Sequence, residues 1–555
     1  MKLVECVPNF SEGRNMEKIK AILKEIERIP QVKLLDSDPG ESTNRTVVTF
    51  IGSPEGVKEA AFRAIKKAAE VIDMSKHKGA HSRIGATDVC PFVPVTGVTM
   101  EDCVQIANEV GERVCRELGI PVYLYEEAAK KPERRNLANI RSGEYEGLPE
   151  KLKDPEWLPD YGKPVFNPKT GATVIGAREF LIAYNINLNT RDQALARDIA
   201  FMLRELGKAK RDKEGNVVRD ENGNTVMIPG KFKAVKAVGW YVKDYEIAQI
   251  SINFINYKTS PPHLVFEEAR KLAADMGVRV TGSELVGLIP KEALLMAGRY
   301  YLEKQRKSPA VPEEELIRIA SISLGLNDVA PFDPKKKIIE YQFQETENSL
   351  LTYNLREFAN ELSMDSPAPG GGSTSALCGA LSASLSSMVS LLTYGKKEYE
   401  SVRPEMKDIG LRAQELKDEL LRAVDLDTAA FNKVLDAIRL KKTTEEQKQE
   451  REQAVEEATK EATIVPMEVL RKSVEALRLA KTVAVKGFKN SLSDAGVAAL
   501  TAQAAAEGAY YNIRINVPNI RDTEFTSKIM EEAETLKNEA LELGKEVREL
   551  VEKGL

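Results

Sequence analysis

Thr46-Val47-Val48-Thr49-Phe50-Ile51 decides the fold class of this chain. An unbroken run of β-branched and aromatic residues reads as a strand. Directly after it, residues 54–74 carry Val57, Ala60, Ala61, Ala64, Ala68 and Val71 at the three- and four-residue steps of a helix with one buried face. The alternation continues on both sides. Residues 3–7, 33–36, 89–94 and 121–125 read as strands, and 100–118 as a helix. Strands and helices in alternation predict an α/β layer fold.

A second unit of the same class begins at Ala177. Ala183-Tyr184-Asn185-Ile186-Asn187-Leu188 is a strand, 191–206 a helix, 235–241 and 249–254 strands, 263–276 a helix and 278–281 a strand, with helix signals to Leu302 and beyond. Asp212-Lys213-Glu214-Gly215-Asn216 and Asp220-Glu221-Asn222-Gly223-Asn224 are turn clusters expected to bound a hairpin. Between the two units, residues 132–171 form a turn-rich excursion with Pro149, Pro155, Pro159, Pro164 and Pro168. Its Trp157, Tyr161 and Phe166 favour a binding loop over disorder.

After Pro331-Phe332-Asp333-Pro334-Lys335-Lys336-Lys337 strand signals vanish and Lys, Glu, Ala and Leu dominate. Ile529, Ala533, Leu536, Ala540, Leu543, Val547 and Leu550 make an apolar seam along the last helix. Residues 441–462 are charge-laced and read as a solvated helix face. Residues 367–394 are nearly free of charge but crowded with Ser and Gly, which predicts a helix buried in a bundle or a subunit interface rather than a membrane span. The expected architecture is two α/β sandwich-like subdomains, 1–176 and 177–330, a linker at 331–344, and an all-α helical-bundle domain at 345–555.

Of the 555 residues, 80 are Lys or Arg and 85 are Asp or Glu, so a net charge of -5 gives no general pull toward nucleic acid or anionic membrane. An anion site must be local. Five cysteines, Cys6, Cys90, Cys103, Cys115 and Cys378, contain no C-x-x-C pair, which argues against a disulfide framework or zinc ribbon. Met1-Lys2-Leu3-Val4-Glu5 has no long apolar run, so a signal peptide is not expected and the cytoplasm is the expected location.

Only three histidines occur, and two of them sit in Lys76-His77-Lys78-Gly79-Ala80-His81-Ser82-Arg83-Ile84-Gly85-Ala86-Thr87-Asp88. Imidazole changes charge near neutral pH, and a cationic loop around it suits proton transfer beside an anionic substrate. Gly79, Gly85 and the lack of an intervening glutamate argue for a loop and against a zinc helix, so no metal is expected. His77 is assigned a structural hydrogen bond, and His263, after Pro261-Pro262, a capping or surface role. Pro369-Gly370-Gly371-Gly372-Ser373-Thr374 lacks the Gly-Lys ending of a phosphate loop and reads as a tight turn opening a helix.

Several longer motifs carry a resemblance. Val4-Glu5-Cys6-Val7-Pro8-Asn9-Phe10-Ser11-Glu12-Gly13-Arg14, Ser42-Thr43-Asn44-Arg45-Thr46-Val47, the histidine loop, residues 160–173 with 183–188, and Gly282-Ser283-Glu284-Leu285-Val286-Gly287-Leu288 resemble glutamate formimidoyltransferases. Residues 367–373, Asp425-Leu426-Asp427-Thr428-Ala429-Ala430-Phe431 and Ser493-Asp494-Ala495-Gly496-Val497-Ala498-Ala499-Leu500 resemble formimidoyltetrahydrofolate cyclodeaminases. Their order along nearly the whole chain is that of the bifunctional family.

The resemblance implies two reactions of histidine breakdown. The formimino group of N-formimino-L-glutamate moves to tetrahydrofolate, and 5-formimino-tetrahydrofolate then cyclises to 5,10-methenyl-tetrahydrofolate with loss of ammonia. It implies His81 as the proton-transfer group, with Asp88 or a backbone carbonyl holding its other nitrogen. It implies folate binding by Gly162-Lys163-Pro164-Val165-Phe166-Asn167-Pro168-Lys169-Thr170-Gly171, at a site between the two subdomains. Phe166 packs there either on folate or in the core. Both substrates bring carboxylates, for which Arg45, Lys78 and Arg83 are candidates, each otherwise a solvated charge. The cyclisation acid falls within the second motif, Asp427 ahead of Asp425, which cannot share a helical face. Asp494 is a third candidate, otherwise an N-cap. Tetrahydrofolate is the expected carrier, and a homo-oligomer is expected from the seamed and Ser/Gly-rich helices. The alternatives are a formyl donor with a methenyl-folate cyclohydrolase, and a non-catalytic folate-binding scaffold.

Overall fold

A computed structural model describes residues 2–41, 43–79, 81–342 and 349–555. The chain makes two compact units, one of Met1–Met296 with Ser321–Gln344, the other of Ala297–Ala320 with Glu345–Leu555. The first is mixed α/β and the second helical.

In the first unit β1 (Leu3–Cys6), β2 (Asn9–Phe10), β3 (Val32–Gly40), β4 (Arg45–Gly52), β5 (Thr87–Thr96), β6 (Val122–Glu126) and β7 (Thr173–Ala177) form one seven-stranded sheet. β4 pairs antiparallel with β1, β2 and β3, and β5 with β1 and β2. β7 lies parallel between β5 and β6. Strand alternation sends Val4, Cys6, Val48, Phe50, Cys90, Phe92, Val122 and Leu124 to one face, against Ile22, Ile26, Val57, Ile65, Val110 and Val114. Those side chains come from α1 (Met16–Glu27), α2 (Pro54–Val71) and α3 (Met100–Leu118). Each helix starts on a side-chain cap, Asn15, Ser53 or Thr99, so its periodicity begins in the frame that buries this face.

The excursion expected as an irregular loop contains two short helices, α4 (Leu137–Arg141) and α5 (Glu144–Lys151). Pro132 and Pro155 open 3-10 turns, where a missing N–H costs nothing, rather than breaking structure. Ile140, Leu148 and Leu152 pack on Tyr123, Tyr125 and Val174, covering the second face of the sheet near β6 and β7.

β8 (Ile182–Leu188), β11 (Val235–Val242), β12 (Ile247–Phe254) and β13 (Val280–Val286) form a separate antiparallel sheet in the order β11-β12-β8-β13. Helices α6 (Gln193–Leu203) and α7 (Pro262–Asp275) pack against it. The ribbon that leaves through β9 (Lys208–Ala209) and returns through β10 (Met227–Ile228) folds back twice. Each turn cluster is its own tip, with Asp212 and Asp220 accepting from the backbone of Asn216 and Asn224, so the two do not bound a single hairpin.

Helices α8 (Lys291–Lys304) and α9 (Glu313–Leu324) follow, then α10 (Pro334–Lys337) and α11 (Ile339–Gln342) within the expected linker, of which 343 and 344 lie outside the described residues. The division of the chain differs from a cut at 330. Residues 297–320 go with the helical unit and the described linker residues with the α/β unit.

The helical unit contains α12 (Leu355–Leu362), α13 (Gly371–Tyr394), α14 (Arg403–Ile438), α15 (Glu445–Lys486), α16 (Leu492–Asn516) and α17 (Thr523–Gly554), with no strand among its described residues. Gly372, Ala376, Gly379, Ala380 and Ala383 put small side chains on the buried side of α13. A Cβ on Gly379 would come 3.1 Å from Leu420 and 3.2 Å from Ser473, so α14 and α15 approach closely there. α13 is long and apolar enough to cross a membrane, yet 56% of its apolar window is buried inside the unit. The α17 seam buries Ile529, Ala533, Ala540 and Val547 but has run out at exposed Leu550.

Candidate active sites

The loop bearing His77 and His81 is built onto the turn before β4. A Cβ on Gly79 would lie 2.1 Å from the Thr43 carbonyl, so only glycine lets the loop come so near. Asn44 ties the two segments, its amide donating to the Lys78 carbonyl at 3.1 Å and its oxygen accepting from the Gly13 N–H at 3.0 Å. The foot of the loop is pinned to the expected folate segment. The Ala86 N–H donates to the Thr170 carbonyl at 2.8 Å, and the Ala172 N–H to that of Ile84 at 3.1 Å. Ser42 and Ala80 lie outside the described residues.

His81 is half-buried, and its Nδ1 lies 2.7 Å from the Ser82 carbonyl. A carbonyl only accepts, so Nδ1 carries the proton and Nε2 the lone pair. Arg45 Nη1 lies 2.5 Å from Nε2 and 2.7 Å from Nδ1. Asn9 Oδ1 fixes Arg45 in turn, accepting from its Nε at 2.9 Å and also from Nη2. Burial, then the charges of Arg45 and Arg141, hold His81 below the ordinary imidazole pKa, with the Ser82 carbonyl opposing. These surroundings favour the uncharged ring.

Asp88 does not hold His81. It is fully buried, accepts from the Ile84 N–H at 3.1 Å, and ion-pairs with Arg141 of α4. His77 takes the structural role, with Nε2 on the Asn44 carbonyl at 2.8 Å and Nδ1 accepting from Arg83 Nε at 3.2 Å. Arg83 is buried, and its guanidinium is committed to Glu144 and Glu146, both at 2.7 Å, so it clasps the loop to α5 rather than lying open to a ligand. Lys78 is exposed. His263 is buried at the start of α7, not at the surface, and burial pushes its pKa down to about 4.

In the expected folate segment, Gly162, Lys163, Pro164 and Val165 are exposed, Val165 at 64%. Phe166 is half-buried against the cluster of Ile140 and Tyr123, with its ring 5.4 Å from that of Tyr145. Asn167 Oδ1 caps the turn by accepting from the N–H groups of Lys169 (3.0 Å) and Thr170 (3.3 Å). Tyr145 donates to the Pro168 carbonyl at 2.6 Å. Arg141, Asn9 and Asn44 were not legible as site residues. Asn9 and Asn44 lie in quoted motifs, but Arg141 ends α4 in a segment with no periodic signal.

In the helical unit Asp425 and Asp427 part company. Asp425 accepts from Ser349 Oγ at 2.6 Å and the Leu350 N–H at 2.8 Å, a local anchoring role. Asp427 faces the start of α13, where a Cβ on Gly372 would lie 2.0 Å from its Oδ1. Ser373 Oγ lies 3.4 Å from Asp427 Oδ2 and donates to the Val424 carbonyl at 2.9 Å. Burial pushes the Asp427 pKa above the usual carboxyl range, against the pull of the Ser373 hydroxyl and N–H. That is the direction of shift a proton-donating carboxyl needs. Asn512 of α16 stands beside Gly371. Asp494 lies in the first turn of α16, whose N-cap position is Ser491, so it is not the N-cap. Among the described residues no three His, Cys, Asp or Glu side chains are grouped to hold a metal.

The fold defines a chain of two units, one α/β and carrying the histidine loop, the other helical and carrying the paired aspartates. Known families match both parts: "Formiminotransferase domain, N-terminal subdomain" over residues 3–178, "Formiminotransferase domain" over 183–344 and "Formiminotransferase-cyclodeaminase" over 354–535. The chain is 44% identical to the formimidoyltransferase-cyclodeaminase of Mus musculus, over 97% of each chain. It is 43% identical to the glutamate formimidoyltransferase of Streptococcus pyogenes, over 54% of this chain and 94% of that one. A methenyltetrahydrofolate cyclohydrolase of Methylorubrum extorquens is 37% identical over 36% of this chain and 95% of its own length. The chain belongs to the formimidoyltransferase-cyclodeaminase family.

Proposed function

We propose that this chain is a bifunctional folate enzyme, a glutamate formimidoyltransferase joined to a formimidoyltetrahydrofolate cyclodeaminase. The observation that carries the first half is His81, with Nδ1 on the Ser82 carbonyl and the Arg45 guanidinium against the ring. Attack of the folate N5 on the formimino carbon forms one C–N bond and breaks the bond to the glutamate nitrogen. N5 loses a proton and the departing nitrogen gains one, so a single imidazole serves both transfers. Arg45 positions that ring, and segment 162–171, pinned to the foot of the histidine loop, is the folate-binding element.

In the second half N10 attacks the same carbon, and the formimino nitrogen leaves as ammonia. Asp427 supplies the proton the leaving nitrogen needs, as a lyase acid. Asp425 anchors the segment around Leu350. Leu381, Met388 and Leu392 lie exposed on α13 at seven- and four-residue spacing, which supports self-association. Five unpaired cysteines, with the Cys6 and Cys90 sulfurs 3.5 Å apart yet unbonded, support a reducing, cytoplasmic setting.

The test supplies formiminoglutamate and tetrahydrofolate to the intact chain and follows ammonia together with the near-ultraviolet absorbance of methenyl-folate. The cyclohydrolase relative favours a second reading, with a formyl donor and water rather than ammonia as the departing group. Formylglutamate turnover without ammonia release establishes that reading. Folate binding with neither product leaves only a scaffold.

A further inference from the structure

We infer that Arg141 selects the donor by binding its α-carboxylate, a role that rests on the transferase reading above. Three features of the geometry point to it. Arg141 is held on both sides of its backbone. Ile140 before it is fully buried, and Lys151 Nζ caps the end of α4 by donating to the carbonyls of Asn139 (3.1 Å), Ile140 (2.6 Å) and Ser142 (2.8 Å). The guanidinium is therefore placed before any ligand arrives, which lowers the entropy lost on binding.

Second, only one edge of this guanidinium is taken. Asp88 uses the edge formed by Nε and Nη2, with Nε 3.4 Å from Oδ1 and Nη2 on Oδ2. The end-on edge, Nη1 with Nη2, is the other fork that matches a carboxylate, and Nη1 meets no acceptor among the described residues. The side chain keeps 13% of its surface, while that of Asp88 keeps none. Asp88 thus orients the fork from behind.

Third, the charges around His81 do not balance. Asp88 pairs with Arg141, Arg45 is bound to His81 and Asn9, and both arginine charges act on the ring against the one carboxylate. Arg83 adds nothing, because Glu144 and Glu146 neutralise it. One positive charge is left for an incoming anion. In the donor a single carbon separates the reacting nitrogen from the α-carboxylate, so an anion held beside His81 brings that nitrogen to the imidazole. Arg45 is already engaged with His81 and Asn9, which leaves Arg141 as the receptor.

The experiment compares three donors, formiminoglutamate, its α-amide and its γ-amide, on the full chain and on R141Q, R141K and the double variant D88N/R141Q. The double variant leaves no lone buried charge behind. Cyclodeamination of supplied 5-formimino-tetrahydrofolate serves as the folding control. The expected result is a strong preference of the parent for the acid. In R141Q and the double variant kcat/KM for the acid falls roughly 10- to 100-fold, mainly through KM, while the α-amide is hardly affected. R141K, which keeps the charge without the fork, lies between. Equal losses for the acid and the α-amide show that Arg141 only anchors α4 and overturn the inference, as does a loss in R141Q that spares the γ-amide rather than the α-amide. If the parent transfers nothing from formiminoglutamate, the transferase reading itself falls.

Discussion

Arg45 Nη1 lies 2.5 Å from Nε2 of His81, while the Ser82 carbonyl sits 2.7 Å from Nδ1. The Ser82 carbonyl thus fixes the proton on Nδ1 while Arg45 lies against the ring, with Asn9 fixing the arginine in turn. His81→Ala should lower formimino transfer by about 100-fold or more, the scale of a lost acid–base group. Cyclodeamination of supplied 5-formimino-tetrahydrofolate should stay at the parental rate. Parental transfer by this variant, followed as glutamate release, would reject His81.

The pH profile of transfer should carry the mark of this setting. Burial and two cations disfavour the imidazolium, so His81 stays unprotonated to a lower pH than an ordinary histidine of pKa about 6.5. The acid limb of kcat/KM should therefore lie below that value. Arg45→Gln removes one of the cations, and the limb should move up toward it even as the rate falls. A limb that moves down, or does not move, contradicts the proposed electrostatics.

Asp425 and Asp427 should separate cleanly. Asp427→Asn cannot deliver a proton and should slow cyclodeamination about 100-fold or more while sparing transfer. Asp425→Asn weakens two hydrogen bonds to residues 349 and 350, and should cost stability, about 1–2 kcal/mol, more than rate. Assay of both steps together with denaturant unfolding checks this pair, and the opposite pattern would move the acid to Asp425.

Two glycines should divide the activities in the same way. A Cβ at Gly79 would meet the Thr43 carbonyl at 2.1 Å, and one at Gly372 would meet Asp427 Oδ1 at 2.0 Å. Gly79→Ala should impair transfer only, by displacing the histidine loop. Gly372→Ala should impair cyclodeamination only, by pushing Asp427 away. Separate assay of the two half-reactions reads this directly, and a matched loss of both in either variant counts against independent sites.

Glu5 gives a stability prediction with a definite sign. It is 4% exposed on β1, and burial raises its pKa to about 7, with Arg178 pulling the other way. The folded chain binds a proton that the unfolded chain, with an ordinary glutamate pKa of about 4.3, has already lost. The stabilisation is complete below the unfolded value and is lost as pH rises toward 7. Glu5→Gln should therefore gain on the parent between about pH 4.5 and 7, by at most about 4 kcal/mol. Unfolding curves at several pH values check it, and a gap that narrows with rising pH is the contrary result.

Much of the fold was legible in the chain, for reasons that are local. The strand at 46–51 and the helix α3 were legible from β-branching and apolar period, both set by near neighbours in sequence. The helical half declared itself by the loss of strand signals after residue 331. Helices α4 and α5 were missed because prolines read as breakers there, and only packing on Tyr123 and Tyr125 stabilises such short pieces. His81 and the two aspartates could be named from motifs whose residues lie close together along the chain.

The roles within each site needed the tertiary structure. Asp88 and Arg141 are 53 residues apart, Arg83 and Glu146 are 63 apart, and Asp427 lies 54 from Ser373. Side-chain chemistry identifies a residue as charged, acidic or basic, and sequence spacing fixes which faces it can share with near neighbours. Whether a charge is free or already paired depends on partners brought in by the fold, and burial sets the cost of leaving it alone. The sequence by itself therefore determined the fold class, the two halves and the residue types for acid–base chemistry. The tertiary structure decided that Arg83 pairs with Glu144 and Glu146, that Asp425 accepts from Ser349 and the Leu350 N–H, and that Arg141 pairs with Asp88.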